Sequence, residues 1–202
     1  MQFTYKTIQD IGKGIYKEKG SKFLSFAIPV QSVEQIKEII QAYRAEYFDA
    51  RHVCYAYVLG SERDQFRAND DGEPSGTAGK PILGQLNSYE LTNVLVIVVR
   101  YFGGVLLGTG GLITAYKEAT IDALNNSMVE QKIVKTEITI RFDYLAMNDI
   151  MGFCKQMNAE IKNQQFDNEC TITLLIPKSD EEIALARLDK ILIHTPIHVH
   201  VS

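Results

Sequence analysis

At 202 residues, with 46% hydrophobic and 23% charged positions, the chain has the length and composition of one large or two small globular units. Its net charge of −4 excludes bulk attraction to nucleic acid or to an anionic membrane, and no run of about 18 apolar residues suggests a membrane-spanning helix. The opening Met1-Gln2-Phe3-Thr4-Tyr5-Lys6 lacks an apolar stretch behind a basic start, and Cys54, Cys154 and Cys170 are odd in number and widely spaced, which together predict a reducing, cytoplasmic setting.

The opening predicts strands. Phe3 to Ile8 is a candidate edge strand, and Lys13 to Lys17 with Phe23 to Ile28 flank the turn Glu18-Lys19-Gly20-Ser21-Lys22 as a hairpin. Ser32 followed by Gln35 is a capping-box pattern, and it opens a helix whose apolar stripe is Val33, Ile36, Ile39, Ile40, Tyr43 and Tyr47. His52 to Leu59 reads as a strand stopped by Gly60, with a short hairpin return through Phe66. Pro81 marks a helix start, because a first-turn proline loses no intrahelical bond; Ile82, Leu83, Leu86 and Tyr89 are its buried side. Val94 to Val99 is the continuous β-branched and leucine run of a central strand covered on both faces. A helix from about Gly111 to Asn125 follows.

From about Met128 the pattern restarts. Ile138, Ile140 and Phe142 alternate with Glu137, Thr139 and Arg141 as a half-buried strand, and Asn148 to Met157 is helical. Glu160 to Phe166 and Cys170 to Ile176 form a hairpin turned at Asp167-Asn168. Ser179 with Glu182 caps a helix carrying Ile183, Leu185, Leu188, Ile191 and Leu192, and Ile197, Val199 and Val201 close as a strand. This βαββαβ order is that of a ferredoxin-like domain. The fold class is α+β, with domains at residues 1–130 and 131–202. The first 127 residues hold 13 basic against 14 acidic side chains and the rest 8 against 11, so an anion-binding face belongs to the first domain.

Two stretches concentrate the turn chemistry. Asp70-Asp71-Gly72-Glu73-Pro74-Ser75-Gly76-Thr77-Ala78-Gly79-Lys80-Pro81 precedes the second helix, and Phe102-Gly103-Gly104 leading to Leu107-Gly108-Thr109-Gly110-Gly111-Leu112 precedes the third. Each exposes backbone N–H groups at a helix N-terminus, where an anion is favoured. Neither is a nucleotide motif. Pro74 stands where a P-loop has its first glycine and Pro81 where it has the magnesium hydroxyl, while Gly108-Thr109-Gly110-Gly111 lacks the GxGxxG spacing. The anion groove expected between the loops takes Asp71, Glu73, Ser75, Thr77, Gly79 and Lys80 from the first, and Arg100, Gly103, Gly104, Gly108, Gly110, Gly111 and Lys117 from the second. The competing reading is structural, with Arg100 paired to a carboxylate such as Asp71.

His52 and Cys54 alternate on one strand face, but side-by-side residues with no third group do not make a nucleophile pair. Asp70, Asp71 and Glu73 as magnesium ligands rank below turn formation and N–H capping. His198 and His200, with His194 a turn earlier, rank below an exposed strand face as a metal clip. No cofactor and no metal are expected, and no catalytic group is identified.

The stretch from Asp71 to Leu83, followed by Val98-Val99-Arg100-Tyr101-Phe102-Gly103-Gly104 and Leu107 to Leu112, resembles the IMPACT/YigZ family in order and spacing. His52-Val53-Cys54-Tyr55-Ala56-Tyr57 is similar to the family's strand before the first loop. The resemblance is strong over residues 1–127, and the remainder is similar to the small C-terminal domain of bacterial members. It implies a first domain like domain IV of elongation factor G and the GHMP kinases, a ribosomal-protein second-domain-like fold. The second domain would be ferredoxin-like, as in domain V of that factor. Eukaryotic relatives carry an added N-terminal interaction domain and dampen a starvation-responsive translation-initiation kinase. The present sequence is expected to lack that domain, so the kinase mechanism does not transfer. What the resemblance implies is a non-enzymatic regulatory or binding protein linked to translation, contacting RNA, the ribosome or a translation factor through the groove. The alternative is an enzyme acting on a phosphorylated small molecule there.

Overall fold

The computed structural model describes residues 3–167, 170–192 and 197–201. The chain divides into two compact units, the first ending at Lys132 and the second beginning at Ile133. The first runs β1 (Thr4–Ile8), β2 (Gly12–Glu18), β3 (Ser21–Pro29), α1 (Val33–Glu46), β4 (His52–Leu59), β5 (Gln65–Asn69), α2 (Gly79–Ser88), β6 (Val94–Tyr101), α3 (Gly108–Asn125) and β7 (Val129–Ile133).

Five strands form an antiparallel sheet in the order β2-β3-β6-β4-β5, with β6 at its centre. Successive β6 side chains point to opposite faces. Leu95, Ile97 and Val99 therefore pack with Ile36 and Ile40 of α1, while Val94, Val96 and Val98 pack with Ile82 and Leu86 of α2 and Leu112 and Tyr116 of α3. Both faces are covered, which is why β6 is apolar throughout.

The hairpin of β2 and β3 turns at Lys19-Gly20, both with positive φ, the backbone a two-residue turn demands. At α1, Ser32 Oγ accepts the Gln35 N–H at 3.2 Å, but Gln35 Oε1 accepts from Gln31 rather than from Ser32, so the box closes one residue early. Helix α2 begins at Gly79, two residues before Pro81, and α3 begins at Gly108 rather than Gly111. Strand β7, which the hydrophobic pattern does not announce, pairs with β1 in a two-stranded sheet. Its residues are almost all exposed, so it has no buried face to impose a period of two.

The second unit runs β8 (Lys135–Phe142), α4 (Met147–Gln156), β9 (Glu160–Phe166), β10 (Cys170–Pro177), α5 (Glu181–Leu192) and β11 (Ile197–Val201). Its four strands lie antiparallel in the order β11-β8-β10-β9. Ile138, Ile140 and Phe142 join Ile172, Leu174 and Ile176 over Ile150, Phe153, Ala184 and Leu188 of the two helices. Ser179 does not cap α5. Its hydroxyl donates to Asp180, and a 3-10 turn over Lys178–Asp180 leads into the helix. Helix α5 turns Leu188 and Ile191 inward as expected, but Ile183 is exposed and Ala184 is buried in its place. The hairpin position Asn168, residue His194 and the Leu192 side chain lie outside the described residues. Among the described residues no helix is long and apolar enough to cross a membrane.

Candidate functional site

The register of three neighbouring strands in the first unit lays out the site. Arg100 on β6 is opposite His52 on β4 and Phe23 on β3, a row across the sheet on the face covered by α2 and α3. Tyr116 reaches this row from α3, and Glu73 reaches it from the loop before α2.

These residues form a buried polar cluster. Arg100 Nη1 donates to Glu73 Oε1 at 2.6 Å, and the Tyr116 hydroxyl donates to the same oxygen at 2.8 Å. The Arg100 and Glu73 side chains are 6% and 3% exposed. The carboxylate is therefore held dry by a charge-assisted bond and a phenol. Arg100 also lies 5.5 Å from the Phe23 ring centroid and 5.6 Å from that of Phe102, so its guanidinium is held between two aromatic rings. Its Nη2 is 3.5 Å from Ser21 Oγ, at the limit of a hydrogen bond, and its buried Nε has no partner among the described residues.

His52 Nδ1 lies 2.7 Å from the Asp71 carbonyl oxygen. A carbonyl only accepts, so Nδ1 carries a proton, and Nε2 lies 3.8 Å from Glu73 Oε2. Cys54 Sγ is 3.0 Å from the Asp70 carbonyl and 3.2 Å from the Tyr116 hydroxyl, and its single proton serves one of them at a time. Burial pushes the Cys54 thiol and the Tyr116 phenol well above their ordinary values, so neither is a nucleophile at neutral pH. All three cysteines are buried and unpaired. A thiol reagent is accordingly expected to label Cys54 only on unfolding, by mass spectrometry of the modified peptide; rapid labelling of native protein would show that the cluster opens.

The first loop serves its own helix. Asp70 Oδ1 accepts the N–H groups of Ala78 at 3.1 Å and Gly79 at 2.8 Å, and Oδ2 accepts that of Gly76 at 2.8 Å. The N-terminus of α2 is thus already filled by an internal carboxylate. Asp71 is held by Arg44 at 2.6 Å and by the Val53 N–H at 2.7 Å, which fastens the loop to β4. Thr77 bonds back to the Pro74 carbonyl. Gly79 packs where a Cβ would sit 2.6 Å from the Asn69 backbone, and Gly103 where one would sit 1.9 Å from Gly20. These two glycines permit close contact between backbones rather than approach of a ligand.

The second loop behaves differently. Helix α3 starts at Gly108 after Leu107, with no side chain capping it. Its first turn opens on a cavity of about 560 Å³ whose floor is His52, Glu73 and Arg100, whose rim carries Arg51, and whose wall includes Phe102 and Leu106. Leu106 is 83% exposed.

The residues expected in one groove between the two loops do not all come together, and some of them line a cavity at the foot of α3. Of the predicted residues it takes Glu73, Arg100 and Gly108, with Gly110 and Gly111 in the adjoining helical turn. Asp71, Thr77 and Gly79 are turned to internal bonds, and Gly103 to packing. Ser75, Lys80, Gly104 and Lys117 are exposed but do not line it. The carboxylate that pairs with Arg100 is Glu73 rather than Asp71. No sequence motif singles out Arg51 or Tyr116. Tyr116 lies four residues after Leu112 on the buried face of α3, and a buried tyrosine needs a partner for its hydroxyl, which is a usable signal. In the second unit, His198 and His200 are exposed on β11 opposite Arg141 and Thr139, and among the described residues no three metal-ligating side chains come together.

The profile of the Impact N-terminal domain matches residues 19–124. The chain is 37% identical over 161 residues to IMPACT family member YigZ of Escherichia coli, covering 79% of each. It is 35% identical to an IMPACT family member of Haemophilus influenzae, over 82% of this chain and 80% of that one. Protein IMPACT of Rattus norvegicus is 31% identical over 96 residues, 45% of this chain and 30% of the rat protein. A crystal structure described as that of a hypothetical protein superposes with a TM-score of 0.77 at 30% identity, over 98% of this chain and 97% of that one.

Proposed function

The chain belongs to the IMPACT family, and on that premise we propose that it is a non-enzymatic binding protein of the translation apparatus that contacts RNA through the cavity at the foot of α3. The observation that carries this reading is the cavity's set of donors. Arg51 at the rim, Arg100 in the floor and the uncapped first turn of α3 converge on one concavity. Backbone N–H groups at a helix start and a nearby guanidinium favour phosphate. Glu73 also lines the cavity and its charge is balanced by Arg100, so the net positive character there comes from Arg51 and the start of α3.

Arg51 is the residue to test, since it is exposed and its loss leaves the buried cluster intact. With Arg51→Glu, single-stranded RNA binding measured by fluorescence anisotropy at low salt is expected to fall by about tenfold or more while the melting temperature is unchanged. Wild-type protein that binds neither RNA nor ribosomes at low salt would sink the proposal. One observation favours an enzyme on a phosphorylated small molecule instead. His52 lines the cavity with Nδ1 bonded to the Asp71 carbonyl and Nε2 beside the Glu73 carboxylate, an imidazole–carboxylate pair of the kind that moves protons in catalysis. Turnover of a phosphorylated metabolite that vanishes in His52→Gln would establish that alternative.

A further inference from the structure

We propose that the cavity recognises a terminal nucleoside phosphate, the end of an RNA strand or a free mononucleotide, rather than the interior of a strand. The inference rests on the RNA-binding reading and narrows it. Three features of the first unit set the choice.

The concavity is a single pocket of about 560 Å³, within the usual range for a small-molecule site. It has two chemically different sides. One is the first turn of α3 with Arg100 beneath it, and the Arg100 side chain is 94% buried with Nε unpartnered among the described residues. The other is the apolar wall of Phe102 and Leu106. Phosphate fits the first side and a base or ribose face the second. A backbone phosphate run through the site would leave that apolar wall unused.

Cations beyond the rim are the third feature. A protein that tracks a strand needs a row of free basic side chains along its path. Here Arg44 is committed to Asp71 and Lys6 to Glu90, and residues 1–127 hold 13 basic against 14 acidic side chains. The basic residues among those that line the pocket are Arg51 and Arg100, and Arg100 is paired with Glu73. One or two phosphate contacts are what such a site offers.

The test compares a short single-stranded RNA carrying a 5′-phosphate, a 3′-phosphate, or hydroxyls at both ends, together with free nucleoside 5′- and 3′-monophosphates, by anisotropy and calorimetry. One phosphorylated end is expected to bind at least about tenfold tighter than the hydroxyl-ended strand. The plot of log affinity against log salt should have a slope of about −1, because each phosphate contact on a single strand contributes about −0.7. The mononucleotide with the same phosphate should compete for the site. Equal affinity of oligomer and mononucleotide assigns the site to the free nucleotide, and tighter oligomer binding assigns it to a strand end. Leu106→Glu, at a position 83% exposed, should weaken binding of the phosphorylated end and of the mononucleotide by about tenfold without lowering the melting temperature. Equal binding of phosphorylated and hydroxyl-ended RNA with a slope of about −4 or steeper would overturn end recognition and leave RNA binding standing. No binding of any RNA or nucleotide would remove both.

Discussion

Glu73→Gln is expected to destabilise the first unit by about 3–5 kcal/mol, although the substitution keeps the side chain's size and its bond from Tyr116. The variant leaves the Arg100 guanidinium, 94% buried, without its counter-charge. Arg100→Met should cost about as much, because it strands the Glu73 carboxylate instead. The double variant is expected to lose far less than the sum of the two, since no uncompensated charge remains. The contrast within the same unit is the Lys6–Glu90 pair. It has a similar separation of 2.7 Å, but its side chains are 48% and 68% exposed. Its removal should cost no more than about 1 kcal/mol. Burial decides between the two pairs, not distance. Urea titration followed by Cys54 labelling reads the first unit separately, because Cys154 and Cys170 belong to the second. Additive single and double variants would show that Glu73 and Arg100 are not a coupled pair.

The second large effect belongs to Asp70. An ordinary N-terminal cap contributes about 1 kcal/mol, but Asp70 receives three backbone N–H groups, two of them from the buried residues Ala78 and Gly79. Asp70→Ala is therefore expected to cost about 3 kcal/mol, and Asp70→Asn, which keeps one acceptor, less. The effect depends on pH. Burial raises the carboxyl's pKa, but the N–H groups of Gly76, Gly79 and Ala78 together with Lys80 outweigh it, so the group lies below the ordinary carboxylate value. A depressed folded pKa gives stability that is complete above the unfolded value, near 4, and is lost as pH falls through the folded one. The stability gap between wild type and Asp70→Asn should thus be widest at neutral pH and shrink in acid. A gap as wide at about pH 2.5 as at pH 7 would contradict the assignment.

Elements with a buried face were legible in the sequence. The stripe of α1 and the run of β6 follow from burial, because a periodic environment imposes a periodic pattern. Strand β7 and the start of α5 were not, since one has no buried face and the other is entered through a 3-10 turn. At the site, the glycines of the two signature loops were conspicuous but ambiguous. Sequence alone does not say whether a glycine admits a ligand or another stretch of backbone, and at Gly79 and Gly103 it is backbone. Nor does it say which carboxylate fills a helix start. Asp70 lies nine residues before Gly79, and only the folded loop brings them together. Arg51 lacked any motif, and its importance comes from standing at the mouth of a cavity that the fold creates.

The pairing of β1 with β7 has a consequence for synthesis. The Gln9 N–H donates to the Met128 carbonyl, and Gln131 donates to Thr4, so β1 waits during synthesis for nearly the last segment of its unit. Joining segments so far apart carries a loop-closure cost of about 4 kcal/mol on logarithmic scaling, against about half that for a local hairpin. Until that segment emerges, β1 presents an unpaired edge to every neighbouring nascent chain. The first unit thus becomes complete as translation passes into the second, and a pause before β7 is the interval in which the nascent protein is most exposed to mispairing.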